Sequence, residues 1–393
     1  MSARYTNLSA DSHLAPLWYP ADLYTSRLPE KFQEAAPRVV ETEKGTMWGW
    51  EGELHGEAAD GNDWEKHAKN TFRASREPDA PVYKIPHGKL ASDASVMLEH
   101  MDMDGTYAGV YYGNTRKPTY KDPELEKACY AALNDWAVET SSVARDRIII
   151  LPSLPVSFAA DCAAEVYRLA KKGAKAVELV LFDVEQPVLE EVWDPVWAAA
   201  AETGLVICSH VGDAKGVPYP EFRRGARLAH YPMAPMSIAP HLPKLIFSGV
   251  FERYPTLQYS FAECRIGWLP FFIQWMDRTA QQRGATMTDT KLSLLPSEYI
   301  KRQVTFTFEE DFVGGLMLRE PRYYIQDSAV WGSDYPHEQG TWPFSEKILD
   351  EIFAGADPQL RQTIVWDRTA KAFNIEGPKD ATNASGRVEQ AAA

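Results

Sequence analysis

The sequence predicts an α/β fold and, within that class, a (β/α)8 barrel of the TIM type. Short apolar runs with strand character alternate with helix-like segments from about residue 95 onward. Together with a short run at residues 8–13, these strands number eight, which is the number that closes such a barrel. No glycine-rich phosphate loop follows any of them, so a doubly wound open sheet with a nucleotide site is the less favoured alternative.

The predicted elements follow one another in regular alternation after residue 95. The eight strands cover residues 8–13, 107–112, 147–151, 176–181, 205–209, 257–262, 304–308 and 328–333. The main helices cover residues 123–144, 158–172, 188–202, 237–249, 266–282, 343–354 and 357–373. Gly173 and Gly204 each follow a predicted helix, at the position where a residue in the left-handed conformation commonly ends it.

The stretch from residue 14 to residue 95 interrupts this alternation. It is rich in Pro, Trp, Tyr, Gly and charged residues, and it has no sustained periodicity. Long segments of this kind commonly carry function. We therefore predict an irregular insertion after the first strand, acting as a lid or an oligomer contact. Residues 1–376 are predicted to form a single barrel domain, and residues 377–393 a disordered tail.

Composition and charge argue against several classes of function. The 393 residues are 45% hydrophobic and 12% aromatic, as expected of a folded globular protein. The net charge of -14 argues against binding to nucleic acid or to an anionic membrane surface. No apolar run approaches the ~20 residues of a membrane span, and the first residues lack a secretory signal, so we expect a cytoplasmic protein. Four cysteines without C-x-x-C spacing are interpreted as reduced thiols: Cys129, Cys162, Cys208 and Cys264.

Ligand-type side chains stand at or just beyond the C-terminal ends of four predicted strands: Asp11, His13, His210, Glu263 and Asp334. Such strand ends converge on one mouth of a barrel, however far apart they lie in sequence. Asp11 and His13 are two residues apart, so on an extended strand both side chains point to the same face. Two imidazoles and two carboxylates suit a divalent metal, zinc first and manganese or iron as alternatives. Asp334 or Glu263 would move the proton.

Each of these residues also has a purely structural interpretation. The run from Asp11 to His13 could be a simple turn or cap, Asp334 could cap the end of a strand, and His210 could be a buried histidine bonded to the backbone. Glu263 could form an ion pair with Arg265. The occurrence of all these groups at strand ends of one barrel favours the metal site over the separate structural explanations.

Two further residues are candidates for substrate binding. Arg116 follows the second barrel strand and could bind a substrate carboxylate through paired hydrogen bonds, although many surface arginines bind nothing specific. His337 lies three residues after Asp334 and could contact substrate or support the metal ligands, or be an ordinary loop histidine. Cys208 and Cys264 neighbour the site and are interpreted as packing residues, because no base is assigned to either thiol.

Five groups of residues form a pattern in a fixed order along the chain: 9–13 (SADSH), 27–29 (RLP), 245–255 (LIFSGVFERYP), 261–263 with 267–270 (FAE and GWLP), and 332–337 (GSDYPH). In this pattern the chain resembles the amidohydrolase-related family that includes aminocarboxymuconate semialdehyde decarboxylase and the resorcylate-type decarboxylases. The resemblance implies a distorted (β/α)8 barrel that holds a divalent metal. It also implies that the ligands are Asp11, His13, His210 and Asp334.

The chain departs from the family pattern at two points. Glu263 stands where the decarboxylases carry a catalytic histidine, so a carboxylate would have to act there as base or ligand. Close relatives also have an acidic residue soon after the Asp-Ser-His run, whereas here the nearest acid downstream of His13 is Asp22. Because some relatives use such extra carboxylates to hold two metals, this chain is better suited to one.

The leading functional hypothesis is a hydrolase or non-oxidative decarboxylase that acts on a small carboxylate or carbonyl compound. A second hypothesis is a subunit of a manganese/iron-type monooxygenase of the same family. In that case the chain would be either catalytic or a single-metal structural partner of a catalytic paralogue. We accordingly expect a small-molecule substrate and a homo-oligomer, or a hetero-oligomer with a paralogue, but neither nucleic acid nor membrane as a partner.

Overall fold

The computed structural model describes residues 5–14, 16–43, 45–58, 85, 89–113, 120–184, 186–212, 223–337 and 339–378. Three sequence predictions fall wholly or partly on other parts of the chain. Arg116 lies outside the described residues, residues 59–84 and 86–88 of the predicted insertion lie outside them, and so does the predicted tail from residue 379 onward.

The described part of the chain contains eleven strands. In chain order they are β1 (Asn7–His13), β2 (Arg38–Thr42), β3 (Gly45–Trp50), β4 (Glu53–Glu57), β5 (Thr106–Tyr112), β6 (Ile148–Ile150), β7 (Ala176–Glu178), β8 (Val206–His210), β9 (Tyr259–Ala262), β10 (Val304–Phe308) and β11 (Ala329–Trp331). Apart from β2, β3 and β4, these are the eight strands predicted from the sequence, several of them shorter than predicted. The α/β class is therefore confirmed.

The eight strands other than β2, β3 and β4 are parallel and form two sheets. One sheet has the order β1-β5-β6, and the other has the order β11-β10-β9-β8-β7. Backbone hydrogen bonds join the two sheets at both edges. Near β6 and β7, Glu178 donates to the Pro152 carbonyl oxygen at 2.7 Å, and near β11 and β1, Asp334 donates to the Asp11 carbonyl oxygen at 2.9 Å. The strand order therefore returns to β1.

Helices alternate with the parallel strands. In chain order they are α1 (Ala94–Met103), α2 (Pro123–Ser142), α3 (Ala159–Lys172), α4 (Asp194–Thr203), α5 (Ala226–His230), α6 (Leu242–Phe247), α7 (Val250–Arg253), α8 (Leu269–Met287), α9 (Pro296–Gln303), α10 (Phe312–Met317), α11 (Ser345–Ile352), α12 (Pro358–Gln362) and α13 (Arg368–Ala372). Gly173 and Gly204 end α3 and α4 with φ angles of 90° and 73°, as predicted. Among the described helices, none is long and apolar enough to cross a membrane.

The parallel strands are buried on both of their faces. Every residue of β5 and β8 is buried, as expected when helices cover the outside of a parallel sheet. Phe261 and Phe306 lie side by side on β9 and β10, fully buried, with ring centroids 5.9 Å apart. Burial of each such side chain contributes about 1.5–3 kcal/mol. The result is a rigid frame for the side chains at the strand ends.

The prediction that residues 14–95 form an irregular insertion was wrong for its central part. Residues 38–57 form the antiparallel sheet β2-β3-β4. Glu51 and Gly52 link Trp50 to its partner Glu53 in a two-residue turn with φ angles of 49° and 80°, a hairpin type that favours glycine. A hydrogen bond joins this sheet to the segment after β1, since the Trp48 indole donates to the Pro16 carbonyl oxygen at 3.0 Å.

Candidate metal centre

The four residues predicted as metal ligands converge at the C-terminal ends of the parallel strands. Asp11 and His13 close β1, His210 is the last residue of β8, and Asp334 lies three residues beyond β11. The His13 Nε2 atom is 3.6 Å from Asp11 Oδ1 and 3.1 Å from Asp334 Oδ1. The ligand atoms of Asp11, His13 and His210 all lie within 4.8 Å of one another. The structure thus brings together residues that are more than 300 positions apart.

The donor set fits a divalent cation. Asp11, His13, His210 and Asp334 are all buried, and each presents one atom that makes no hydrogen bond of regular geometry among the described residues: Asp11 Oδ1, His13 Nε2, His210 Nε2 and Asp334 Oδ1. These atoms instead face ionisable neighbours of the same cluster at 2.7–3.6 Å. Burying a polar atom without a partner is costly, and a metal ion removes that cost by accepting the lone pair. Two imidazole nitrogens and two carboxylate oxygens are the donor types that zinc, manganese and iron accept.

The two buried carboxylates have opposite electrostatic environments. Burial raises the pKa of Asp11 to about 7, and the neighbouring Asp334 and Glu263 carboxylates add to the effect against the opposing charge of His210. Burial would also raise the pKa of Asp334, but the imidazoles of His337 and His13 outweigh it and hold that pKa far below its usual value. Asp334 is therefore ionised at neutral pH, whereas Asp11 binds a proton in competition with a cation.

Glu263 faces His210 at the edge of the centre. Its Oε2 atom is 3.1 Å from His210 Nε2, and its side chain is 24% exposed. Burial would lower the pKa of His210, yet the Glu263 carboxylate raises it to about 10. In return, His210 lowers the pKa of Glu263 against the effects of burial and of Asp334. His210 Nδ1 lies 2.8 Å from the Val211 carbonyl oxygen, which orients the ring with Nε2 toward the centre.

His337, predicted to bind substrate, lies directly against the cluster. Its Nδ1 atom is 2.7 Å from Asp334 Oδ1, and its ring stacks on His13 with centroids 3.9 Å apart. Burial would lower the pKa of His337, but the Asp334 carboxylate raises it above its usual value. With 41% of its side chain exposed, His337 is the most accessible imidazole of the group.

Three buried serines, none of which was assigned a role in the sequence analysis, hold the β1 and β11 ends together. Ser9, Ser12 and Ser333 have their hydroxyl oxygens 3.0–3.3 Å apart. Ser9 Oγ also donates to the Asp11 carbonyl oxygen at 2.7 Å and accepts from the Ser333 backbone nitrogen at 2.8 Å. This network fixes the two segments that carry Asp11, His13 and Asp334.

The alternative interpretation of Glu263, an ion pair with Arg265, does not agree with the contacts of either residue. Arg265 contacts the carboxylate of Glu309, a fully buried residue that follows β10. Glu263 is therefore available to His210. Cys208 and Cys264 fit their interpretation as packing residues, since burial raises the pKa of both thiols and keeps them protonated.

Comparison with known proteins gives a family match over most of the chain. The family model described as amidohydrolase matches residues 111–375. Among curated proteins, no sequence matches the chain. An amidohydrolase from Mycobacterium avium subsp. paratuberculosis is similar in structure, with a TM-score of 0.70 and 19% identity over 94% of this chain and 99% of that one.

Two further solved structures share the fold at low identity. A 5-carboxyvanillate decarboxylase from Sphingomonas paucimobilis has a TM-score of 0.58 and 20% identity over 71% of this chain and 82% of its own. A dihydroxybenzoic acid decarboxylase from Polaromonas, with bound manganese and the inhibitor 2-nitroresorcinol, has a TM-score of 0.61 and 16% identity over 96% of this chain and all of its own, 100%. Likeness at this level of identity establishes a common fold.

Proposed function

The chain belongs to the amidohydrolase family, and on that premise we propose that it is a metal-dependent, non-oxidative decarboxylase of a small carboxylate. The observation that carries the proposal is the convergence of ligand-type side chains in two groups that share His13: Asp11, His13 and His210 in one, and His13, Glu263, Asp334 and His337 in the other. We further infer that the eight parallel strands form a closed (β/α)8 barrel with this centre at its mouth, where the active sites of such barrels lie.

We propose that Asp11, His13, His210 and Asp334 hold one divalent metal. Such an ion would act as a Lewis acid that polarises a substrate oxygen and neutralises carboxylate charge. Zinc suits the donor set, and manganese is included because the Polaromonas decarboxylase contains it. His210 is oriented for this role by the carbonyl oxygen of Val211, and Asp334 supplies a permanent negative charge.

Decarboxylation requires a proton at the carbon that loses carbon dioxide. The bond between that carbon and the carboxylate breaks, its electron pair stays on the carbon, and the pair takes up a proton. We assign the proton transfer to Glu263, which would act as a carboxylate that takes a proton from water and passes it to the carbon, because it is 24% exposed whereas Asp11 and Asp334 are almost completely buried. An exposed carboxyl can exchange protons with water between turnovers. Asp334 would instead hold His337 and His13 by the contacts described above.

Purified protein tests the proposal directly. We expect about one equivalent of zinc or manganese, and release of carbon dioxide from a panel of hydroxybenzoates that includes 2,6-dihydroxybenzoate and 5-carboxyvanillate. The Asp334→Asn variant should lose turnover by at least about 100-fold with an unchanged circular dichroism spectrum, and Glu263→Gln by about 100-fold or more. Asp327→Asn, which alters an exposed ion pair with Lys301, is the matched control and should keep full activity.

The same assay distinguishes the other chemistries predicted from the sequence. A decarboxylase releases carbon dioxide equally well without dioxygen. Dioxygen consumption coupled to substrate, or hydrolysis of an amide or lactone with no carbon dioxide, would overturn the proposal. No specific observation favours the monooxygenase or the structural-partner hypothesis. The oligomeric state and the cytoplasmic location stay predictions.

A further inference from the structure

We propose that Thr307 is a positioning residue whose single hydroxyl group sets the metal-binding geometry of Asp11 and the orientation of Glu263 together. Thr307 lies on β10, is fully buried, and is not among the predicted ligands or proton carriers. Its Oγ1 atom donates a hydrogen bond to Asp11 Oδ2 at 2.9 Å. The same oxygen accepts a hydrogen bond from the Glu263 backbone nitrogen at 2.7 Å. The inference rests on the metal centre in the proposed function.

The bond to Asp11 selects which carboxylate oxygen is available to a cation. Because Oδ2 is occupied by the Thr307 hydroxyl proton, Oδ1 is the oxygen left without a hydrogen-bond partner in the described part of the chain, and it faces His13 Nε2. The carboxylate is thus presented through one oxygen in a fixed orientation. Hydrogen bonds of this kind to a ligating carboxylate orient it and limit the entropy lost on metal binding.

The bond from Glu263 controls the turn that follows β9. Glu263 has a φ of 55°, a left-handed conformation that is unfavourable for a residue with a side chain. Its backbone N–H would be short of a partner at this turn without the Thr307 oxygen, which is 2.7 Å away. By fixing this conformation, Thr307 directs the Glu263 side chain to His210 at 3.1 Å. One hydroxyl therefore joins the metal ligand of β1 to the carboxylate after β9.

The hydrogen bond from Thr307 on β10 to Asp11 on β1 spans β11, which lies between these two strands in the strand order. The residue directly after β11 is Gly332, which has no side chain to obstruct Asp11. A Cβ atom at Gly332 would lie 2.4 Å from the Asp11 Cβ, so the absence of a side chain there lets Asp11 approach. The hydrogen bond between Thr307 and Asp11 therefore depends on the close packing of β10, β11 and β1.

Two comparisons distinguish a positioning role of Thr307 from a general contribution to the stability of the protein: the metal affinity of the variants, and the effect of a replacement that keeps the hydroxyl group. The test uses Thr307→Val, which keeps the shape and removes the hydroxyl, and Thr307→Ser, which keeps the hydroxyl. Thr369→Val is the matched control, because Thr369 is also fully buried and its hydroxyl has no hydrogen-bond partner among the described residues. Dissociation constants for zinc and manganese are measured by competition with a chelator, and urea unfolding of the metal-free proteins is measured in parallel.

We expect Thr307→Val to weaken metal binding by about 10–100-fold, the usual range for loss of a hydrogen bond that orients a ligand. Thr307→Ser should stay within about threefold of wild type, and Thr369→Val should not change the affinity. Glu263→Gln removes the carboxylate that faces His210 Nε2 and should therefore change metal affinity by itself. That change should shrink in the Thr307→Val background, since the side chain is no longer held toward His210. Equal affinity of Thr307→Val and wild type, or a serine variant as impaired as the valine variant, would overturn the inference.

These outcomes are distinguishable from failure of the proposed function. A wild-type protein that binds metal but decarboxylates nothing leaves the affinity comparison intact and rejects only the assigned reaction. A wild-type protein that binds neither zinc nor manganese rejects both.

Discussion

Gly332 lies so close to Asp11 that a Cβ atom at Gly332 would be 2.4 Å from the Asp11 Cβ and 2.9 Å from the Asp11 backbone nitrogen. Neither atom belongs to a flexible side-chain end, so the β1 and β11 ends would have to move apart to admit a methyl group. Such movement would separate Asp11 from Asp334, whose backbone nitrogen donates to the Asp11 carbonyl oxygen at 2.9 Å.

We therefore predict that Gly332→Ala lowers metal affinity by at least about tenfold and the free energy of unfolding by about 1–3 kcal/mol. Gly284→Ala is the matched control, since a Cβ atom at Gly284 on α8 would meet nothing within 4 Å. That control should be neutral or stabilise by about 0.4–1 kcal/mol. Chelator competition and urea unfolding measure the two quantities, and a Gly332→Ala protein with unchanged affinity would contradict the explanation.

The convergence of Asp11, His13, His210 and Asp334 could be predicted from the sequence because it depends on strand ends alone, whereas their role as metal ligands stays a proposal. Asp11 and His13 are two positions apart on one strand, and His210 and Asp334 follow apolar runs that are easily identified. The C-terminal ends of parallel strands meet at one edge, so identifying the strand ends was enough to predict that these four side chains lie close together. The contact between His337 and Asp334 needed the actual path of the chain, which spacing does not give.

The supporting residues could not be predicted in the same way. Thr307 stands in an alternating Thr-Phe strand, where threonine is an ordinary residue, and its two hydrogen bonds depend on register and on the space at Gly332. The antiparallel sheet at residues 38–57 was missed because Trp and Gly obscure its alternation. The Glu51-Gly52 pair, with glycine at a position of positive φ, was a usable hairpin signal between β3 and β4.

The stability of the metal-free protein should fall as the pH rises above 6.5. Glu263 raises the pKa of His210 from 6.5 to about 10, although burial alone would lower it. In this range the folded protein keeps a proton that the unfolded chain has lost, so the stabilisation is complete below pH 6.5 and is lost as the pH approaches 10. A difference of one proton corresponds to about 1.4 kcal/mol per pH unit, so we expect a loss of about 2 kcal/mol between pH 6.5 and 8.5.

Urea unfolding at several pH values tests this dependence. Glu263→Gln is the informative comparison, because it removes the carboxylate that raises the pKa of His210 and should flatten the profile. Metal-loaded protein should also show a flatter profile, because a cation at His210 Nε2 takes the place of the proton. A wild-type profile as flat as that of Glu263→Gln would show that the His210–Glu263 pair does not exist in the metal-free protein.

Asp311 should be among the most important capping residues near the centre. Its Oδ2 atom accepts hydrogen bonds from the backbone nitrogens of Ile266 and Gly267, and its Oδ1 atom accepts one from Gly314, all at 2.8 Å. Ile266 and Gly267 lie between Glu263 and the start of α8, and Gly314 lies in the first turn of α10, which Asp311 caps. One carboxylate therefore fixes both segments near Glu263 and Glu309.

We predict that Asp311→Ala lowers the free energy of unfolding by about 2–4 kcal/mol, because three backbone donors lose a charged acceptor. Asp311→Asn should cost about half as much, since an amide keeps one acceptor oxygen. Asp357→Ala is the control: Asp357 caps α12 with one side-chain hydrogen bond, from Gln359, and its loss should cost about 0.5–1 kcal/mol. Urea unfolding ranks the three variants, and an Asp311→Ala protein no less stable than Asp357→Ala would refute the assignment of Asp311 as the shared cap.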